Sequence, residues 1–156
     1  MINQTVETAF RVLLYLGAQD PKRLTSLQEI HKVVGVSATY LAKITAILSR
    51  AGLIKSQRGA QGGLQIGREP KKILMLEVVE ATQGPFLPFA MKKCTTGKGK
   101  WCNYHVVANR LNDLMAGAMR KVNLAEMMVT ESNPSKDCVL HGIKKVKDPR
   151  AAKSAK

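Results

Sequence analysis

Apolar residues recur every three or four positions along much of the chain, and this spacing predicts a mainly α-helical fold. A first helix is predicted over residues 4–18, with apolar residues at Val6, Ala9, Phe10, Leu13, Leu14 and Leu16. The other predicted helices cover residues 27–34, 38–51, 73–81, 103–121 and 124–129. The chain is long enough to bury one core but short for two independent domains.

Two of these helices lie within residues 24–67 and carry the signals of a helix-turn-helix. Ser26 and Glu29 form the S-x-x-E pattern that opens a helix. Gly35 ends this helix, because glycine most easily adopts the positive φ of a helix C-terminus. Ser37 then caps the second helix.

An alternating stretch follows the second helix. Residues 53–58 and 64–66 flank a glycine-rich tip, a pattern that predicts a two-stranded β-hairpin. The predicted fold class is therefore mainly α: a winged helix-turn-helix with a small β-hairpin wing and a long C-terminal dimerisation helix.

The net charge indicates a polyanionic partner. The whole chain carries +14, and residues 22–72 hold ten Lys and Arg against Glu29 and Glu69, a net charge of +8. A purely structural surface would normally mix charges of both signs, so we predict that this segment binds double-stranded DNA.

The predicted DNA contacts come from the second helix and the hairpin. Thr39, Tyr40 and Lys43 are expected to meet the major groove, and Arg58 the backbone and minor groove. The full predicted set is Ser37, Thr39, Tyr40, Lys43, Arg50, Lys55, Arg58, Gly59, Gln61, Gly62 and Gly63.

Cysteine content and the N-terminal residues favour a cytoplasmic protein. Three cysteines, an odd number, do not suit a disulfide-stabilised secreted fold. The first residues lack the pattern of a signal peptide, and no apolar run approaches the roughly 20 residues that span a bilayer. We expect no membrane partner and no enzymatic activity, because nucleotide-binding and nucleophile–base motifs are missing.

The helix predicted at residues 103–121 has a coiled-coil seam that predicts a homodimer. Its apolar residues alternate at spacings of three and four: Tyr104, Val107, Leu111, Leu114 and Ala118. The predicted division is residues 1–85 for DNA binding, residues 86–102 for a cysteine loop and residues 103–130 for dimerisation. Residues 131–156 form a basic tail expected to be flexible.

The cysteine loop is long enough to be functional. Cys94, Cys102 and His105 read C-x7-C-x2-H. The two cysteines are too far apart for a thioredoxin-like C-x-x-C and lie among polar residues, which favours a ligand role for both. His105 is an alternative ligand. Cys138 and His141 form a second C-x2-H in the tail and are assigned no role.

The order of these motifs resembles a family of small bacterial winged-helix regulators. This family contains the iron–sulfur assembly regulator IscR, the nitric-oxide sensor NsrR and the redox sensor RsrR. The resemblance covers roughly residues 1–130, and its matching segments are residues 37–41, 48–54, 58–64, 78–85 and 122–127. Residues 58–64 match the family's wing pattern, RGxxGG followed by Tyr or Leu.

The resemblance implies an iron–sulfur cofactor. The assembly regulators have three cysteines in the loop, and the middle one is missing here. Glu7 and His31 match ligand positions of the redox sensor, so the implied set is Cys94, Cys102, His31 and Glu7 around a [2Fe-2S] cluster. In the redox sensor the two ligand pairs come from different subunits, and the same arrangement is implied here.

The resulting hypothesis is a dimeric, sequence-specific DNA-binding regulator, expected to be a repressor, whose affinity is switched by the cluster. The signal is redox state, nitric oxide or iron status. One alternative keeps DNA binding but senses through thiol oxidation or another metal. An alternative of another class is a small iron–sulfur electron carrier or thiol redox enzyme.

Overall fold

The structure is a computed structural model, and it describes residues 2–59, 62–89 and 102–128. The helices are α1 (Gln4–Gly17), α2 (Leu27–Val34), α3 (Ala38–Arg50), α4 (Met75–Gln83), α5 (Asn103–Met119) and α6 (Leu124–Met128). The strands are β1 (Ile54–Gln57) and β2 (Gly63–Ile66), and Pro70–Lys72 form a short 3-10 turn. This order confirms the predicted mainly α fold with a two-stranded wing.

Helix α1 forms the centre of the core. Its N-cap is Asn3, whose Oδ1 accepts a hydrogen bond from the Val6 N–H at 3.0 Å. Val6, Ala9, Val12 and Leu13 are fully buried. The helix packs against α2, α3, α4, α6 and β2. Each buried Leu or Val contributes about 1.5–3 kcal/mol by leaving water, so this helix supplies much of the stability of the domain.

Helices α2 and α3 form the predicted helix-turn-helix and meet at 110°. The Ser26 Oγ accepts a hydrogen bond from the Glu29 N–H, and Gly35 ends α2 at φ 71°. Ser37 caps α3 by accepting a hydrogen bond from the Tyr40 N–H at 3.3 Å. These three local predictions are confirmed.

The Glu29 carboxylate does not complete the capping box at Ser26. Its Oε1 accepts hydrogen bonds from the Tyr15 hydroxyl and from Arg23 Nη2, both at 2.7 Å. Burial, followed by the hydrogen bond and the charge of Glu29, raises the pKa of Tyr15 to about 12. This carboxylate therefore joins α2 to the last turn of α1.

The wing is an antiparallel hairpin with Ile54 opposite Ile66 and Gln57 opposite Gly63. Thr25 adds a third backbone partner, because its N–H and C=O both bond to Leu64 at 2.9 and 2.8 Å. A Cβ on Gly63 would lie 2.8 Å from the Thr25 carbonyl oxygen. The wing is thus anchored to the residues just before α2.

The fourth predicted helix starts later than expected. Residue 73 was predicted as its first residue, but α4 begins at Met75. Leu74 instead forms a β-bridge with Asn123, supported by hydrogen bonds from Met75 N to Val122 O and from Leu124 N to Ile73 O. This pairing holds the backbone extended, and it leaves Leu74 exposed rather than in the core.

Side chains cap the start of the last helix. Asn123 Oδ1 accepts a hydrogen bond from the Glu126 N–H at 3.1 Å, and Glu126 Oε1 bonds back to the side chain and N–H of Asn123. Helix α6 then buries Leu124 and Met128 against α1.

Helix α5 contributes little to the core of its own chain. Only Ala108 and Asn112 are buried along its 17 residues. Six large apolar side chains are exposed on it: Tyr104, Val106, Val107, Leu111, Leu114 and Met115. The Asn112 Oδ1 accepts a hydrogen bond from the Phe89 N–H at 3.1 Å, which ties the start of the cysteine loop to this helix.

Across the described ranges, no single helix is long and apolar enough to cross a membrane. The bent pair α2 and α3 meets the length and composition test only when the two helices are taken together. Several predictions lie outside the described residues: Gln61, Cys94, most of the cysteine loop, and the tail with Cys138 and His141.

We predict that Gly62→Ala destabilises the protein by about 1–3 kcal/mol, because its Cβ would lie 2.3 Å from the Gln57 carbonyl oxygen. Gly117→Ala is the control: its Cβ would contact nothing within 4 Å, and alanine favours a helix by about 0.5–1 kcal/mol. Urea unfolding measures both changes. Equal stability of Gly62→Ala and wild type would contradict the close approach.

We predict that the stability gained from Tyr15 is lost at high pH. A raised pKa means that the unfolded state releases the phenol proton near pH 10, whereas the folded state keeps it to about pH 12. The gain is therefore complete below pH 10 and is lost between pH 10 and 12. Urea unfolding of wild type and Tyr15→Phe at pH 8 to 11.5 measures it. A pH-independent difference between the two proteins would contradict this linkage.

Candidate functional site

The exposed face of α3 is small and basic. Five exposed residues recur at helical spacing on one side of the helix: Thr39, Ala42, Lys43, Ala46 and Arg50. The opposite side is buried through Leu41, Ile44 and Leu48. Because alanine side chains do not hold surfaces apart, this face can approach a groove closely. It resembles the reading surface of a helix-turn-helix.

The wing presents basic side chains beside this helix. Lys55 and Arg58 are exposed, and β1 packs against α3. Gly59 has φ 119°, a conformation that L side chains rarely adopt, and a Cβ on Gly62 would meet the backbone of residue 57. These two glycines therefore shape the turn that carries Arg58 at the tip.

Tyr40 does not point freely outward as predicted. Its side chain is half-buried and packs against the core, and its hydroxyl donates a hydrogen bond to Thr5 Oγ1 in α1 at 3.1 Å. The prediction of an outward-facing Tyr40 is wrong, because the first turn of α1 lies within its reach. Helical spacing alone could not show this, since Thr5 is 35 positions away.

Glu7 and His31 are both accessible, on α1 and α2 respectively. Neither side chain makes a hydrogen bond or ion pair to any described residue. His31 lines a shallow depression of about 240 Å³ together with Leu27, Gln28, Lys32 and Ala38. Among the described residues, therefore, no other side chain engages Glu7 or His31.

Cys102 lies at the N-cap of α5, half-buried and without a disulfide. Its Sγ is 3.0 Å from His105 Nδ1. The sequence predicted both residues but not this direct contact, which the C-x2-H spacing across a helix start makes possible. A thiol held against an imidazole is an arrangement that supports metal binding or thiol reactivity.

Within the part of the chain that the structure describes, no three His, Cys, Asp or Glu side chains come together as a metal site. The three predicted ligands that the structure describes, Cys102, His31 and Glu7, therefore do not form such a group within the described residues of one chain. The sequence analysis missed two residues that make long-range hydrogen bonds. Thr5 of α1 bonds to Tyr40 of α3, and Asn112 of α5 bonds to the backbone of Phe89. Asn112 stands among other polar residues, Asn109, Arg110 and Asp113, so nothing in the sequence singled it out.

The Rrf2 family model, described as an iron-dependent transcriptional regulator, matches residues 2–130. The transcriptional regulator NsrR of Shouchella clausii is 27% identical over 133 residues, covering 85% of this chain and 84% of that protein. NsrR of Geobacillus kaustophilus is 32% identical over 96 residues, covering 62% and 63%.

Solved structures share the fold. CymR, the global cysteine regulator of B. subtilis, superposes with a TM-score of 0.68 at 23% identity, covering 82% of this chain and 95% of that one. IscR of T. potens gives a TM-score of 0.67 at 24% identity, covering 82% and 85%. The relatives are transcriptional regulators, not enzymes. The chain thus belongs to the Rrf2 family and is a DNA-binding transcriptional regulator.

Proposed function

We propose that the protein is a dimeric, sequence-specific repressor, acting in the cytoplasm, whose DNA affinity is switched by a [2Fe-2S] cluster. The observation that carries the DNA-binding part is the small, basic, exposed face of α3 beside the basic wing. Residues 1–85 would bind DNA, residues 86–102 would hold cluster ligands, and residues 103–130 would form the dimer. The basic tail, residues 131–156, would add non-specific phosphate affinity.

Helix α3, the reading helix, would enter the major groove with Thr39 and Lys43 toward base edges. Ser37 lies at the positive end of the α3 dipole, where its backbone can meet a phosphate. Arg50, Lys55 and Arg58 would neutralise phosphates on either side, and Gly59, Gln61, Gly62 and Gly63 would let the wing tip lie close to the backbone. Tyr40 supports this surface from behind.

A second copy of the chain would cover α5. The helix leaves Val107, Leu111 and Leu114 exposed along its predicted seam, with Val106 and Met115 beside them. A protein of this size rarely exposes a continuous apolar stripe unless a partner buries it. Paired α5 helices would set the spacing of two reading helices for two half-sites.

The cluster would be held by Cys94, Cys102, Glu7 and His31. The donor set suits iron, because two thiolates with an imidazole and a carboxylate can replace four cysteines. Glu7 and His31 are accessible and unpartnered among the described residues, as ligands for a site shared between subunits must be. When bound, such a cluster supplies a one-electron change of charge. In this chain, His31 lies on the helix that supports α3.

A second candidate function is thiol sensing without a cluster. The 3.0 Å contact between Cys102 Sγ and His105 Nδ1 favours it, because a thiol held against an imidazole is an arrangement that supports thiol reactivity. In this case DNA binding and the dimer are unchanged, and His105 has a direct chemical role. His105 is also the alternative ligand if His31 does not bind.

We predict that Arg58→Ala weakens DNA binding in a salt-dependent way. The slope of log K against log salt should fall by about 0.9, because one phosphate contact is lost. Fluorescence anisotropy with a duplex selected by the wild-type protein from a randomised pool measures this slope. Lys121→Ala, which removes an exposed charge beyond the end of α5, is the control. Equal slopes for wild type and Arg58→Ala would exclude a phosphate contact by Arg58.

We predict that His31→Ala and Cys102→Ser each lose bound iron and sulfide after anaerobic reconstitution, because each removes one of four ligands. The readouts are iron and sulfide content and the visible absorption spectrum. Gln28→Ala, one turn away on the same exposed face of α2, should retain the cluster. Two results together would reject the cluster in favour of thiol sensing. The wild-type protein would bind no iron, and Cys102 would be alkylated more slowly in His105→Ala than in the wild type.

A further inference from the structure

Helix α1 is fastened to both helices of the DNA-binding motif by side-chain hydrogen bonds. In its first turn, Thr5 Oγ1 accepts from the Tyr40 hydroxyl of α3 at 3.1 Å. In its last turn, the Tyr15 hydroxyl donates to Glu29 of α2 at 2.7 Å. Nine residues of α1 lie between Thr5 and Tyr15, so the two bonds act at opposite ends of the helix.

The Thr5–Tyr40 bond is the more informative of the two. Both helices otherwise contribute buried apolar side chains to one core, and such burial attracts without fixing a direction. Among the described residues, this is the one side-chain hydrogen bond between α1 and α3. A hydrogen bond weakens steeply as its angle changes, so it fixes how the first turn of α3 is oriented on α1.

The position of Tyr40 makes this orientation important. Tyr40 lies in the first turn of α3, next to Thr39, and its backbone N–H is held by the Ser37 cap. Its ring packs on the core, so the side chain reaches inward to α1 and not outward to a groove. The residues at the start of a reading helix are those that contact base edges.

We infer that Thr5 and Tyr40 form a positioning link that holds the reading end of α3, and that Tyr40 acts on DNA only through this link. The link has a second role, and this second role rests on the proposed function. Glu7 lies in the same turn of α1 as Thr5, so a ligand bound by Glu7 shifts the group that holds Tyr40. The link thus carries the state of the ligand site to α3.

The test removes each hydroxyl while keeping the shape of its side chain. The variants are Tyr40→Phe, Thr5→Val and the double variant, with Thr5→Ser as the rescue that keeps the hydroxyl. Thr82→Val is the matched control, because it removes a hydroxyl that bonds only to backbone carbonyls within α4. Anisotropy with the selected duplex and with a random duplex measures affinity, and thermal unfolding checks the fold of each variant.

Each single variant should lower affinity for the selected duplex by about threefold to tenfold, as expected for one lost hydrogen bond. The double variant should lose no more than either single one, because both remove the same bond. Thr5→Ser and Thr82→Val should bind as wild type does, and random duplex binding should be unchanged in all variants.

Two results would overturn the link. If Tyr40→Phe weakens binding and Thr5→Val does not, Tyr40 contacts DNA itself. If neither variant changes affinity, the bond does not position α3. The role of the link in signalling is measured separately, as the ratio of affinities between oxidised and reduced protein. A wild-type ratio of one would reject the proposed redox switch. The affinities of the variants, measured in one redox state, would still decide the positioning role.

Discussion

The burial of α1 is the interaction on which the rest of the structure depends. This helix packs against α2, α3, α4, α6 and β2. Its position therefore determines where the reading helix α3 and the wing lie. Its apolar contacts provide most of the attraction, because burial of aliphatic side chains is strong but not directional. Hydrogen bonds at its two ends add the direction: Thr5 to Tyr40 at one end and Tyr15 to Glu29 at the other.

This arrangement decides which surfaces remain for partners. Since the apolar side of α3 is used against α1 and α4, its small and basic side is left for DNA. Since α1 and α6 complete the core without α5, the apolar side of α5 stays exposed, and the proposed second subunit would pack there. Glu7 and His31 are accessible on α1 and α2, so under the proposed function a ligand that they share with another subunit would act directly on the DNA-binding motif.

Local signals in the sequence predicted much of the fold. Ser26, Gly35 and Ser37 set helix ends through atoms within four residues, and Asn123 with Glu126 does the same for α6. The contacts that could not be predicted join residues far apart in sequence. Leu74 pairs with Asn123 and so delays the start of α4, and Tyr40 turns inward to Thr5. For the proposed ligand site, the sequence predicts residue types only, because assembly of four ligands across two subunits would depend on contacts outside one chain.

The measurement that tests the central claim most directly is the affinity of one anaerobic sample for its selected duplex, before reduction, after reduction and after reoxidation. The account predicts that the dissociation constant changes by at least about fivefold on reduction and returns on reoxidation. An unchanged dissociation constant, in protein whose absorption spectrum shows that the cluster was reduced and reoxidised, would contradict it.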